Sequence, residues 1–136
     1  MGTRSVTRVI GDGSQVVNMY RQMDGYPSGH GKDLFDFLDG FKIVNGLGGD
    51  QGKIANGASC LAAQMVAHFK DGPGSIYLVN GEPGDHGQDY EYIIQANHFE
   101  EPVGVIEVTV LGGWHEKAQL FKGSVEDFGI FCMKGE

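Results

Sequence analysis

The chain has 136 residues, of which 40% are hydrophobic and 21% are charged. These proportions are too apolar for a disordered segment, and the length suits one folded domain, residues 1–136, with a core of its own. Acidic residues outnumber basic residues 18 to 10, which gives a formal net charge of −8. That balance opposes nucleic-acid binding, because such binding relies on lysine and arginine displacing counterions.

The N-terminal segment lacks the long apolar stretch of a signal peptide, and no segment approaches the ~18 apolar residues of a membrane span. We therefore expect a cytoplasmic protein without a membrane partner. Cys60 and Cys132 are too few for a disulfide framework, so both are expected to be reduced.

The first predicted elements are the extended runs 5–10 and 15–22. The Gly-Asp-Gly-Ser turn between them predicts a β-hairpin, because glycine accepts positive φ. Residues 32–38 hold four apolar side chains and stop shortly before Gly40, which predicts a short helix. A brief apolar run follows at residues 41–45.

The clearest predicted helix covers residues 58–70. Leu61, Met65 and Phe69 recur every four residues there and give the helix one apolar face. Gly72, followed by a proline, ends the pattern.

The second half of the chain contains mainly strand-like runs. They lie at residues 75–80, 90–96 and 103–111, and residues 118–122 can form another. Ser124 and the acids after it then predict a helix N-terminus. Together these patterns predict an α+β domain, whose antiparallel sheet of about five to six strands carries two or three helices on one face.

Two segments carry a resemblance to a known group. They are the opening MGTRSVTRV and the run YRQMDGYPSGHG with the LFDFLDGFKIVNG that soon follows it. They resemble a group of small uncharacterised proteins of bacteriophages, bacteria and some fungi, which share an MGTRS start and a YxQxDGYPxGxG motif. The resemblance covers roughly the first third of the chain. It implies a similar fold and a viral or mobile-element origin, and it carries no activity.

The link between the predicted hairpin and the first helix is rich in polar side chains. Asp24 and His30 can meet there as an acid–base pair, with a hydroxyl from a neighbouring residue and a charge clamp from an arginine. The helix start beside them also offers free backbone N–H groups to an anion. The candidate polar binding site consists of Arg4, Arg21, Asp24, Tyr26, Ser28, His30 and Lys32.

A purely structural interpretation of the same link stays open. In it Asp24 caps a turn, Tyr26 packs with the following proline over the sheet edge, and His30 is solvated. Functional side chains often lie on such loops, so both interpretations are carried forward.

A polar loop later in the chain offers weak metal ligands, Asp85, His86 and Asp89. Carboxylates at this spacing suit a hard divalent ion. The EF-hand order is absent, however, since the sixth position from Asp85 is Tyr90. Polar loops between hairpin strands commonly look like this without binding anything, so no metal site is predicted.

The glycine-rich segment at residues 46–53 resembles a phosphate-binding loop in layout only. A P-loop requires a glycine where Leu47 stands and a hydroxyl where Ile54 stands. Cys60 is a poor candidate nucleophile, because His68 lies eight residues further along the helix, about 12 Å away. The sequence identifies no cofactor.

Two functions therefore remain open. The first is a non-catalytic accessory protein of phage type, acting in the cytoplasm (the host's, if phage-encoded), that contacts a protein partner or a second copy of itself. The alternative is a small hydrolase or transferase centred on Asp24 and His30. That alternative requires these side chains to share one concave pocket.

Overall fold

A computed structural model describes residues 2–46, 52–80, 87–113 and 118–134. In this part of the chain there are three α-helices, α1 (Lys32–Leu38), α2 (Gly57–Phe69) and α3 (Val125–Met133), and a π-helical turn, Pro27–Gly31, leads into α1. The strands are β1 (Ser5–Gly11), β2 (Ser14–Arg21), β3 (Lys42–Val44), β4 (Ile54–Asn56), β5 (Ile76–Leu78), β6 (Tyr90–Ala96), β7 (Ile106–Gly112) and β8 (Ala118–Ser124). Within the described ranges, every helix is too short or too polar to cross a lipid bilayer.

Six strands form the main sheet in the order β5-β2-β1-β6-β7-β8. The predicted α+β class is confirmed, with the helices contributing to one core. One detail differs from the expected antiparallel sheet: β1 and β6 run parallel, while their other neighbours in this sheet are antiparallel. A parallel pair needs a long crossover, and α1, α2 and β5 supply it. The short strands β3 and β4 form a separate parallel pair.

The core lies between the sheet and the helices. Alternate residues of the central strands face it, such as Val9, Ile94 and Val108, which have no exposed surface. Leu61 and Met65 of α2 pack into the same cluster, as the four-residue spacing predicted. Phe128 of α3 packs into this core cluster beside β7 and β8.

Asp12 ties the β1–β2 turn to the segment after β6. Asp12 and Gly13 both have positive φ, 49° and 80°, as the tightest hairpin turns require. The Asp12 carboxylate accepts backbone hydrogen bonds from His98 at 3.2 Å, Phe99 at 2.8 Å and Glu100 at 2.9 Å. These bonds, that from Glu100 foremost, lower the pKa of Asp12.

Both outer strands of the main sheet have features that discourage pairing with another chain. β5 is only three residues long. β8 has seven residues, but its pairing with β7 skips Leu120, and Lys122 lies near its middle. Short length, a bulge and a lysine are common ways to protect a sheet edge.

Candidate functional site

His30 is buried by the geometry of the loop that carries it. The His30 backbone N–H donates to the Asp24 carbonyl at 2.7 Å, and Gly25 N–H donates to the Thr3 carbonyl at 2.9 Å. At Gly29 a side chain cannot fit, since a Cβ would lie 2.6 Å from the Asp24 carbonyl oxygen. The loop therefore folds tightly against the segment that leads into β1, and His30 has no exposed surface.

The hydrogen bonds of His30 fix its tautomer. Arg21 Nη1 lies 3.0 Å from Nδ1, and Thr7 Oγ1 lies 2.8 Å from Nε2. A guanidinium can only donate, so Nδ1 accepts, and Nε2 carries the proton that it donates to Thr7. Burial, reinforced by the Arg21 charge, lowers the pKa of His30 from 6.5 to about 3. The imidazole is therefore neutral near neutral pH.

Asp24 has a different partner from the one that the sequence suggested. It is exposed, and its Oδ1 accepts a hydrogen bond from the Tyr26 hydroxyl at 3.2 Å. The negative charge of Asp24, together with this hydrogen bond, raises the pKa of Tyr26. Asp24 and His30 do not form a side-chain pair here, because both ring nitrogens of His30 bond to other residues.

The remaining members of the predicted polar site lie apart from His30. Ser28 is exposed, and Lys32 Nζ lies 3.4 Å from Asp36 Oδ2 on the surface of α1. Arg4 pairs with Asp89 through its backbone: Arg4 N–H donates to Asp89 Oδ2 at 3.0 Å, and Asp89 N–H donates to the Arg4 carbonyl at 2.9 Å. Of the seven predicted residues, the structure brings two separate pairs into direct side-chain contact, Arg21 with His30 and Asp24 with Tyr26.

The weak metal candidates are only partly described. Asp85 and His86 lie outside the described residues, and the Asp89 carboxylate is engaged by the Arg4 backbone. Among the residues that the structure describes, no group of three or more His, Cys, Asp or Glu side chains is arranged to hold a metal ion.

Two adjoining clefts, here called the α1–α2 groove, lie between α1 and α2. Each has a volume of about 480 Å³. The first cleft is lined by residues that include Arg21, Asp33, Asp36, His68, Phe69 and Ser75. The second shares Asp36 and His68 with it and adds residues that include Phe37, Phe41, Lys53 and Gln64.

Aromatic rings run along this groove. The ring centroid of His68 lies 5.0 Å from that of Phe37 and 4.9 Å from that of Phe69. The ring centroids of Phe37 and Phe41 are also 5.0 Å apart. Phe69 also contacts the buried His30 ring, at 5.2 Å. The groove thus combines an aromatic wall with charged groups at its rim, the usual composition of a ligand pocket.

Arg21 is held in the first cleft by contacts to three other residues. Its Nε donates to the Met23 carbonyl at 2.8 Å, and its Nη1 contacts His30 and, at 3.4 Å, Asp33 Oδ2. Within the described ranges Nη2 has no hydrogen-bond partner. The Arg21 side chain is 17% exposed, whereas that of Asp33 is 54% exposed.

The backbone at Ser75 is strained where it lines the first cleft. Ser75 has φ = 69°, which is costly for a residue with a Cβ. Its carbonyl accepts from Gln22 N–H at 2.9 Å, and Lys70 Nζ donates to the carbonyls of Gly74 and Ile76. Such strain concentrates at functional sites, which adds weight to this cleft.

The sequence interpretation missed most of this groove. Asp33, Asp36 and His68 are not among the residues of the predicted polar site, and the sequence pattern places Ser75 in a strand. Asp33 and Asp36 are three residues apart on a predicted helix, so the chain did carry a signal that they share a face. His68 and Ser75 offered none, because they reach the groove only through the packing of α2 and β5.

Comparison with known proteins gives no match: no protein-family model, no curated protein and no solved structure resembles this chain significantly.

Proposed function

We propose that the chain is a non-catalytic binding protein and that it holds its ligand in the α1–α2 groove. Cleft volumes of about 480 Å³ fall within the range of small-molecule pockets. The observation that carries the proposal is the fixed Arg21 guanidinium, which lines the first cleft with Nη2 free of partners in the described part of the chain. An oriented, partly desolvated charge beside aromatic rings is what a binding site provides.

The alternative, a hydrolase or transferase centred on Asp24 and His30, has less support. A general base must come within hydrogen-bond reach of the proton that it abstracts. His30 is fully buried and has a pKa of about 3, and its two nitrogens bond to Arg21 and Thr7. A substrate cannot reach this imidazole without first breaking one of those bonds.

A partner that pairs with an edge of the main sheet also has less support than the groove. The bulge and lysine of β8 and the shortness of β5 both oppose strand addition. A protein partner or a second copy would therefore meet the groove or the loops rather than an outer strand.

A cytoplasmic site of action, in the host if the protein is phage-encoded, is part of the proposal. Two observations favour it: Cys60 and Cys132 are both free thiols, and the first third of the chain resembles the phage and bacterial group. Fractionation of cells that express the untagged chain tests this part, and recovery in a membrane or secreted fraction contradicts it.

A fragment screen followed by two-dimensional NMR tests the binding proposal. We expect hits from a chemically mixed set of cations, anions and neutral compounds to shift resonances of groove residues such as His68 and Phe69. Ala67→Trp, which fills the second cleft, should abolish those shifts for fragments that occupy it. Ala63→Trp is the matched control, because Ala63 is an exposed α2 residue that does not line the groove.

The same screen can contradict the proposal in two ways. Either no fragment gives saturable shifts, or the hits cluster away from the groove and are unaffected by Ala67→Trp. Steady conversion of a fragment during the measurement favours the enzyme alternative instead.

A further inference from the structure

We propose that the first cleft of the groove binds the carboxylate of a small, singly charged molecule with an apolar or aromatic body, and that Arg21 is the anchor for that carboxylate. The inference rests on the proposed binding function and names the ligand class.

The surroundings of Arg21 leave its charge poorly compensated. A guanidinium that is only 17% exposed normally needs a close anionic partner. Its two nearer bonds, to the Met23 carbonyl and to His30, are to neutral acceptors. Among the residues that the structure describes, the one carboxylate in contact is that of Asp33, which lies at 3.4 Å and is half exposed. A ligand carboxylate in the cleft would supply the missing close partner.

The geometry of Arg21 suits a planar carboxylate. The Nε–H group and one N–H group of Nη1 already donate, to Met23 and His30. The N–H groups of Nη2, and the Nη1 N–H group that faces Asp33, are left for a ligand. A carboxylate can bond to both nitrogens side by side if it displaces the long contact to Asp33. His30 acts here as a positioning residue, because its Nδ1 holds Nη1 in place.

The two carboxylates of the first cleft select against competing ligand classes. Asp33 and Asp36 already contact cations, Arg21 and Lys32, so a cationic ligand would have to displace them. A doubly charged phosphate would approach both of those carboxylates and a chain of net charge −8. A single negative charge meets the least repulsion while still satisfying Arg21. Phe69 and Ile76 line the same cleft and favour an apolar body.

Four probes that share a phenyl ring test the ligand class: phenylacetate, phenylacetamide, 2-phenylethylamine and phenyl phosphate. Dissociation constants are measured on the full chain by NMR titration at constant ionic strength. We expect phenylacetate to bind about tenfold or more tightly than the neutral amide, because a bidentate ion pair with Arg21 replaces a hydrogen bond from Arg21 to an uncharged carbonyl. The amine and the phosphate should both bind more weakly than phenylacetate.

Three variants test whether the preference for phenylacetate over phenylacetamide comes from the Arg21 guanidinium. Arg21→Gln should remove the preference for phenylacetate over phenylacetamide. Asp33→Asn should tighten phenylacetate binding by a few-fold, because it removes both a competitor for Nη1 and a repelling charge. Asp39→Asn makes the same charge change on an exposed residue outside the groove, and it should leave the dissociation constant nearly unchanged.

The results separate this inference from the binding function. If the groove binds phenyl probes with equal affinity for the acid and the amide, or prefers the amine or the phosphate, the carboxylate assignment is wrong while binding in the groove stands. An unchanged preference in a folded Arg21→Gln variant also overturns it. If no probe shifts groove resonances, the carboxylate assignment fails, and the mixed fragment screen then decides whether the groove binds anything.

Discussion

At the scale of single residues, the chain of hydrogen bonds from Thr7 through His30 to Arg21 links the core to the groove. It begins at a buried hydroxyl of β1 and ends at a guanidinium that lines the first cleft. A neutral imidazole suits the middle position, because one nitrogen can donate while the other accepts. Each residue therefore depends on the others for its orientation.

Replacing His30 with alanine should cost about 3–5 kcal/mol of the free energy of unfolding. The change removes a fully buried ring and leaves the Thr7 hydroxyl and Arg21 Nη1 without their partner. Urea unfolding measures the loss. His68→Ala is the matched control, and since His68 is exposed we expect a change within about 1 kcal/mol. Similar losses in the two variants would contradict the role given to His30.

At the scale of secondary-structure elements, His98 fastens the segment after β6 to the small β3–β4 sheet and to α2. Its Nε2–H donates to the Val44 carbonyl at 2.7 Å. The ring lies against Gly57, the first residue of α2, whose φ is +80°. A Cβ at Gly57 would lie 2.4 Å from His98 Cε1, so this contact requires glycine.

Comparing Gly57→Ala with Gly46→Ala isolates that contact. Both glycines have positive φ, 80° and 92°, so both substitutions carry a left-handed backbone strain of about 1–2 kcal/mol. A Cβ at Gly46 meets no atom of the described residues within 4 Å, whereas one at Gly57 displaces His98. We expect Gly57→Ala to be the more destabilising by about 1–3 kcal/mol in chemical unfolding. Equal losses would show that His98 moves aside without cost.

The elements that the sequence predicted well are those whose ends are set by residues close by in the chain. Residues 32–38 form α1 as expected, because Gly40 adopts φ = 89° just past its end. Ser124 caps α3 through a hydrogen bond from Asp127 N–H at 3.1 Å, again as the pattern indicated. β4 was missed because it has three residues beside a glycine-rich stretch and is stabilised by its pairing with β3.

The features that the sequence did not predict depend on distant partners. The parallel pairing of β1 with β6 joins residues about 85 positions apart, and no local pattern specifies it. The burial of His30 also depends on a distant partner. The polar, turn-like composition of its loop predicts an exposed ring, but the ring is buried because it bonds to Thr7 of β1. The groove likewise exists only once α1 and α2 are packed together.

At the scale of the whole molecule, the lowered pKa values of His30 and Asp12 make the free energy of unfolding depend on pH, each over its own pH range. Unfolded His30 binds a proton below about pH 6.5, whereas folded His30 binds it only near pH 3. The unfolded state thus holds more protons between these values, so stability is full above pH 6.5 and falls as pH falls toward 3. Asp12, with a folded pKa below 3.8, contributes stability that is lost at lower pH still.

Urea unfolding at a series of pH values tests this dependence. Between about pH 6 and 4, His30 should contribute a slope approaching ~1.4 kcal/mol per pH unit. His30→Gln should flatten the curve in that window, although the variant is less stable throughout. Leu61→Ala, which destabilises the buried core without removing a titratable group, should lower the curve but leave its slope unchanged. Parallel curves for the wild type and His30→Gln would contradict the burial of a neutral imidazole.

The central position of β1 has a consequence for synthesis of the chain on the ribosome. The β1–β2 hairpin can form early, but the side of β1 that β6 will occupy stays open until more than half of the chain has been made. During that interval the nascent chain exposes an unpaired strand in the middle of its future sheet. Production of this protein is therefore expected to be limited by aggregation before β6 emerges rather than by instability of the finished domain.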